Sequence, residues 1–378
     1  MNALATDAEL DALRTRADDV IDPLVRSLVA APGAAGPLLG ALFATDDVPT
    51  GDDRLRTLFE AIPAVPIQDR ARVEEGQRLF QLYGPELLLI LGCYALPAAY
   101  AAGDGVQVIH RARRLGDDAK RRLCETAQMV LNVMSPGGLE PNGIGTRAAN
   151  KVRVMHALVR HHVRTQTTPA PWPTTLGEPI NQEDLVGTLL TFSVLALDGL
   201  RKIGAPLTRD EELGYLEVWR HVGRLLGIDT ALVPSDVGEA EKLAVRIGRR
   251  QIRPTAEGKE LTHQLTRAVN ALFPINGYGV SLMHFFLDES AFGVDLAEIL
   301  DLPAANWTRT LVRARAGHKR FVLRWLNRIP GARARRRALA RYFAQQLILL
   351  QRPDRQMPFL IPAGYLTAWR LRPPSSAA

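Results

Sequence analysis

The stretch KVRVMHALVRHHV, residues 151–163, sets three histidines and two arginines among Val, Met, Ala and Leu at helical spacing. Taken over Ala148 to Arg164, the apolar positions recur at i, i+3 or i+4, the period of an amphipathic helix. At about 100° per residue, Arg153, His156 and Arg160 share one face of that helix. His161 then stands about 140° from His156, and His162 about 120° away on the other side, so the three imidazoles do not converge on one metal. The i, i+4 histidine pair that zinc peptidases use is also missing. One imidazole flanked by two guanidiniums suits a planar dianionic ligand, an iron porphyrin with its metal on His156 and its propionates near Arg153 and Arg160. The plainer alternative is a core histidine beside surface arginines.

A second helix-like stretch lies upstream. Arg122, Glu125 and Thr126 are spaced i, i+3, i+4, and Met129 and Val133 extend the same face. A guanidinium, a carboxylate and a hydroxyl above an apolar stripe make a small polar site on an apolar wall. The alternative is an Arg–Glu surface pair, worth roughly 0.2–0.5 kcal/mol. Other motifs fail. Gly143-Ile-Gly-Thr146 has neither the ending of a P-loop nor the preceding strand of a dinucleotide fingerprint, and no Gly-x-Ser-x-Gly occurs. His110, His263, His284 and His318 are scattered and read as structural. His221 is ambiguous, and Trp219 on the same helix reads as core.

Helical periodicity continues in both directions. It predicts helices over Arg70–Leu82, Leu87–Ala101, Asp118–Met134, Glu183–Lys202, Asp210–Leu226, Gly238–Arg250, Glu257–Phe273, Asn306–Arg328 and Arg333–Leu350. Asn181 and Ser235 read as N-caps ahead of acidic first turns. Asp22-Pro23, Gly84-Pro85, Gly227 and Gly331 read as breaks. Two proline-rich connectors, Ser135–Gly145 and Thr167–Pro179, are long enough to be functional or flexible. With no alternating strand pattern and no internal repeat, the expectation is an all-α, single large helical domain. Its expected parts are an N-terminal helical extension over 1–60, a haem-binding core over 61–300 and basic C-terminal helices over 301–378.

With 378 residues, 47% of them hydrophobic, the chain has material for a large core. Cys93 and Cys124 form no disulfide framework or zinc pattern, and without Cys-x-x-Cys-His any haem is held non-covalently. The N-terminus has no signal-peptide pattern, and the nearest apolar run, Leu87–Ala102, is short and interrupted by Pro97. The expected setting is reducing and cytoplasmic. The net charge of +7 is uneven: residues 302–353 hold thirteen Arg or Lys and no acid, leaving the remainder at −6. The cluster Arg333, Arg335, Arg336, Arg337 and Arg341 precedes the largely apolar run Tyr342–Leu350. Such a block fits a solvated or internally paired face, an anionic membrane contacted through 333–350, or nucleic acid. Nucleic acid is disfavoured because no recognisable binding module accompanies it.

Several segments resemble the latex-clearing-protein (rubber oxygenase) family and its fungal relatives that cleave a farnesyl chain. They are Gly84-Pro85-Glu86 with Leu96–Ala101, Arg122-x-x-Glu125-Thr126, Lys151–His161, Asn181–Leu185 leading to Phe192, and Tyr215–Gly227. The likeness covers residues 15 to 230 best. It implies a globin-like helical core with haem b, His156 as the iron ligand, and Arg153, Arg160, His161, Met129 and Phe192 as cofactor-binding residues. It also implies O₂-dependent cleavage of a carbon–carbon double bond to an aldehyde and a ketone, with Arg122, Glu125 and Thr126 on the distal side. Glu125 is a departure, standing where rubber oxygenases carry Lys, and Glu217 and Arg224 stand where some relatives have His. The expected function is therefore a haem b oxygenase acting with O₂ on an apolar, isoprenoid-like substrate. The alternatives are a haem peroxygenase or peroxidase, or a non-catalytic haem- or lipid-binding helical protein.

Overall fold

A computed structural model describes residues 5–29, 35–43, 51–112, 119–167 and 170–326. The helix expected over Arg333–Leu350, with its arginine cluster, lies outside the described residues. The helices are α1 (Asp7–Arg14), α2 (Ile21–Leu28), α3 (Ala35–Phe43), α4 (Asp53–Glu60), α5 (Arg70–Ile90), α6 (Leu96–Tyr100), α7 (Gly105–Ala112), α8 (Ala119–Met134) and α9 (Ile144–Thr165). They continue as α10 (Gln182–Leu190), α11 (Ala196–Lys202), α12 (Arg209–Leu225), α13 (Val237–Gln251), α14 (Ala256–Asn270), α15 (Tyr278–Leu287), α16 (Leu296–Ile299) and α17 (Thr308–Leu326). Among the described residues there is no strand, only an isolated bridge between Ala102 and Ile252. The all-α expectation holds.

The apolar faces assemble into two hydrophobic cores. The larger gathers residues of α5, α6 and α10–α15, with Leu10 and Leu13 of α1 and the buried end of α8. The smaller is built by α2, α3 and α4 against Val154, Ala157 and Leu158 of α9. Ala149 of α9 belongs to the larger core. One helix therefore serves both, which explains why its apolar residues are spread around so much of its surface.

Gly84-Pro85 does not end a helix as expected. The chain kinks at Tyr83 (φ −127°, ψ 17°) and the helix runs on. It continues through a π-helical turn, Leu91–Ala95, into α6. A proline ring collides with the carbonyl four residues earlier in a regular helix. A widened turn immediately before Pro97 gives that ring room. The resulting rod, Arg70–Tyr100, is apolar and long enough to cross a membrane by composition, but 67% of its most apolar window is buried among other helices, as in a core helix. A second π turn, Thr191–Leu195, links α10 to α11, and the two π turns pack together. Asn181 caps α10 through the Asp184 amide at 2.9 Å, as expected, whereas α13 is capped by Asp236, one residue after Ser235.

Helix α12 lies on α5 through two glycines. A Cβ on Gly76 would sit 2.3 Å from the Gly214 carbonyl oxygen, and one on Gly214 would sit 2.7 Å from the Gly76 nitrogen. Both obstacles are backbone and have no rotamer by which to yield. Gly214→Ala should therefore destabilise the protein by about 1–3 kcal/mol, the usual overpacking cost. Gly40→Ala, on α3 with open space around it, should be neutral or slightly stabilising. Urea unfolding of the two variants checks this, and equal midpoints would refute the close helix contact.

Candidate functional site

The site begins with the turn between α8 and α9. Gly138 accepts hydrogen bonds from the amides of Gly145 (2.8 Å) and Thr146 (3.0 Å), and Asn142 takes the left-handed conformation (φ 62°). A Cβ on Gly145 would meet the Val133 Cα at 2.6 Å, so the helices touch backbone to backbone here. His156 lies eleven residues beyond Gly145, about three turns, and so on nearly the same face of α9. Counting back from Val133 along α8, Thr126 and Met129 fall on the matching face. The antiparallel register therefore brings His156 level with the Arg122–Thr126 segment.

Exposure shows that the hairpin is tight at one end and open at the other. Val130 to Met134 of α8 are buried, whereas every residue from Leu123 to Met129, on all sides of the helix, is half-buried. On α9, Gly145 and Ala149 are buried and Val152, Met155 and His156 are half-buried. Leu123 rests 3.7 Å from where a Gly92 side chain would begin, on the first π turn. This more open end of the hairpin carries the half-buried Leu123, Glu125, Thr126 and Met129 on α8 and Val152 and His156 on α9, with Leu123 and Met129 packed on the edge of the main core.

His156 is half-buried. Its Nδ1 is buried without a hydrogen-bond partner. Burial, reinforced by the Arg160 charge, pushes the imidazole down to about 4. It is therefore neutral near pH 7, the form that ligates metal. A neutral histidine with an orphaned buried nitrogen fits an iron porphyrin ligand. Among the described residues no group of three His, Cys, Asp or Glu is placed to hold an ion directly.

The flanking arginines need a correction. Arg153 forms a two-pronged pair with Asp18 (2.7 and 3.1 Å). Arg160 binds Asp22 at 2.5 Å and the carbonyls of Pro179 and Ile180 at 2.8 Å each. Both guanidiniums are buried and turned toward the entry to α2, about 40–60° around the helix from His156. Binding propionates would break these pairs, so their observed duty is to clasp α9 to the N-terminal helices. His161 also leaves the site, facing α2 and bonding to the Val29 backbone. Phe192 lies in the second π turn against Trp219, ring centroids 5.0 Å apart, in the main core. Met129 is half-buried and packs on the edge of the main core. The Arg122 side chain lies outside the described residues.

Sequence reasoning missed the acids that clasp α9. Asp18 and Asp22 are more than 130 residues away in the chain, and Asp22-Pro23 reads as a break although it opens α2. It also left His221 undecided. That residue is fully buried on α12 with neither ring nitrogen partnered, and burial lowers it to about 4. One turn away, Glu217 binds Arg220 at 2.5 Å and Arg224 at 2.8 Å. The two positions that depart from histidine in relatives are thus an ion pair here. The remaining described histidines are structural or exposed: His110 meets Glu260, His162 the Gln166 side chain, His263 the Asp301 carbonyl, His284 both Asp288 and the Pro303 carbonyl, and His318 is exposed.

The class defined by this fold is an all-α protein, and among its described histidines His156 and His221 are held neutral by burial with unpartnered ring nitrogens. The chain belongs to the ER-bound oxygenase mpaB/B'/Rubber oxygenase catalytic-domain family, whose pattern matches residues 84–369. It is similar to a rubber oxygenase of Streptomyces sp. (strain K30), 26% identical over 230 residues, which is 58% of this chain and 54% of that protein. The chain thus spans about half the length of that curated relative. Its fold is similar to that of a latex clearing protein in the closed state, with a TM-score of 0.69, 21% identity, and 88% and 91% of the two chains covered.

The buried histidines give stability a predictable pH dependence. An unfolded histidine titrates near 6.5, and His221 in the folded chain near 4. Between those values the unfolded chain binds the proton and the folded one does not, so stability falls as pH drops through that window. His221→Leu should remove that share, gaining on the wild type by about 2 kcal/mol at pH 5 relative to pH 7.5. Chemical denaturation at the two pH values measures it, and an unchanged difference would mean that His221 is not held neutral by burial.

Proposed function

We propose that this chain is a haem b-dependent oxygenase that splits a carbon–carbon double bond of an apolar, isoprenoid-like substrate with O₂, one oxygen atom going to each new carbonyl. The observation that carries the reading is His156: neutral, with an orphaned buried nitrogen, on the helix that packs against α8. Family membership supports it, since rubber oxygenase and the mpaB-type oxygenases share that family.

In this reading His156 holds the iron through one imidazole nitrogen, and the porphyrin supplies the redox chemistry with O₂. The chain's own residues do the rest. Leu123, Met129 and Val152 exclude water and offer the substrate an apolar wall. Thr126 donates or accepts a hydrogen bond at the open end of the hairpin, and Glu125 holds a carboxylate there. The clasped arginines fix the rotation of α9, and with it the direction of the imidazole. Glu125 favours one second reading, a peroxygenase, because a carboxylate on the distal side can take and return a proton during O–O cleavage. Turnover of an alkene with O₂ alone, against turnover only with added peroxide, separates the two.

The protein should purify with a Soret band and about one haem b per chain. His156→Ala should abolish the band while helical circular dichroism is kept. Retained haem in that variant would remove His156 as the ligand.

Glu125→Gln should shift the haem spectrum, or its dependence on pH, with little change in unfolding midpoint. Identical spectra from mildly acidic to mildly alkaline pH, together with identical activity, would place this carboxylate outside the pocket.

A further inference from the structure

Away from α8 and α9 the fold leaves an open cleft of about 960 Å³ between α11, α13 and the segment that joins α15 to α16. Two of its walls are held by one atom. The buried Tyr94 hydroxyl, in the first π turn, donates to Asp198 of α11 at 2.8 Å and accepts from the Ala291 amide at 2.7 Å. Phe292 follows, laid across α13 where Gly248 has no side chain: a Cβ there would sit 2.5 Å from the ring. The cleft is thus built by buried contacts rather than by the lie of surface side chains.

Its floor and its mouth differ in chemistry. Val194 and Leu195 of the second π turn and Ala244 of α13, all buried, line the deep part, with half-buried Val245 and Phe292 beside them. None of these side chains offers a hydrogen bond. Lys242, Val245, Arg246 and Arg249, which also line the cleft, follow at i, i+3, i+4 and i+7 and so share one face of α13. π turns recur at functional sites, and one supplies the floor here.

Charge narrows the ligand. Every carboxylate lining the cleft is already matched. Asp198 has the Tyr94 hydroxyl and Lys202 at 3.6 Å, Glu241 has Arg201 at 2.5 Å, and Asp7 has Arg246 and Arg250 at 3.9 and 3.8 Å. Cations are left over. Arg249 is exposed and has no partner among the described residues, and Lys242 has Glu239 one turn back, both side chains exposed. Such an exposed pair is worth little and is readily exchanged. A guanidinium without a partner grips a carboxylate through two parallel hydrogen bonds. An apolar floor with cations at its edge suits a molecule with an apolar chain and one anionic head. A neutral hydrocarbon would leave the cations unused, and a sugar or nucleotide would bury polar groups against a floor that cannot answer them.

We propose that the cleft between α11 and α13 binds an amphipathic carboxylate, with its head on Arg249 and its chain over Val194, Val245 and Phe292. None of the lining residues belongs to α8 or α9, so the inference does not rest on the oxygenase reading.

The test is isothermal titration calorimetry of the full-length protein with decanoate, kept below its aggregation threshold. Saturable binding is expected, about tenfold tighter than that of decanol, and none of decyltrimethylammonium. Arg249→Gln should weaken decanoate about tenfold, with an unchanged unfolding midpoint because that side chain is exposed and unpartnered. Val245→Ser should weaken it about fivefold from the chain side. Arg267→Gln, at an exposed arginine of α14, should change nothing. A decanoate analogue with a diazirine at its chain end should label residues 244–245 or 291–292 on irradiation, and unlabelled decanoate should compete. Absence of binding, decanol binding as tightly as decanoate, or equal affinities of the Arg249→Gln and Arg267→Gln proteins would overturn the proposal. So would labelling confined to α8 or α9, which would place the ligand in the candidate oxygenase site.

Discussion

Two buried carboxylate–guanidinium pairs, Asp18 with Arg153 and Asp22 with Arg160, fix the position of α9, and the rest of the structure is arranged around that helix. It is shared by both cores, as α7 is through Val106 and Val108, and it carries His156. The pairs are a poor source of net stability, because removing the charges from water costs about as much as their attraction returns. The molecule shows this directly. Burial lifts the Asp22 carboxyl above its ordinary range in spite of Arg160 and Arg164, and the Asp18 carboxyl falls below its range only because Arg153 and two backbone amides outweigh the same penalty. What the pairs provide is direction: a guanidinium held on two or three sides cannot rotate, so neither can the helix between two of them.

The helices were legible in the sequence because each is decided locally. Apolar spacing and a capping Asn181 need only a dozen neighbouring residues, and the face shared by Arg153, His156 and Arg160 follows from helix geometry alone. The destination of those arginines was not legible. Three residues within 60° of one another can still face different neighbours, and a helix with a core on either side uses that difference. Which anion meets a guanidinium is set by the path of a chain segment 135 residues away, and nothing in the local pattern encodes it. Gly84-Pro85 misleads for a related reason. Its turn signal is genuine, but tertiary packing on α12 keeps the helix running and reduces the break to a kink at Tyr83.

The charges near the candidate site are balanced in pairs. His156 lies within reach of a cation, Arg160, and an anion, Asp18, each already committed to a partner of opposite sign. On α12 the same logic holds, with Glu217 set between Arg220 and Arg224. If relatives place histidines at 217 and 224, exchanging both for an acid and a base changes the residue types but leaves the local charge near zero. An ion pair and two neutral imidazoles are electrostatically similar to a distant group. They differ in what they can bind, since a neutral imidazole offers a metal a nitrogen lone pair and a guanidinium offers none.

The shape of the hairpin follows from where the glycines stand. Gly138, Gly143 and Gly145 allow the α8 and α9 backbones to touch at their turn, and two amides anchored on the Gly138 carbonyl keep them there. Helices that touch at one end and carry side chains of ordinary size further on must diverge, and here the change from buried to half-buried residues falls between Met129 and Val130. At about 1.5 Å per residue, His156 lies roughly 16 Å along α9 from the contact at Gly145, in the wide part of the wedge. Glu125, Thr126 and His156 lie in that wide part, whereas Val130–Met134 of α8 and Ala149 of α9, all buried, lie toward the apex.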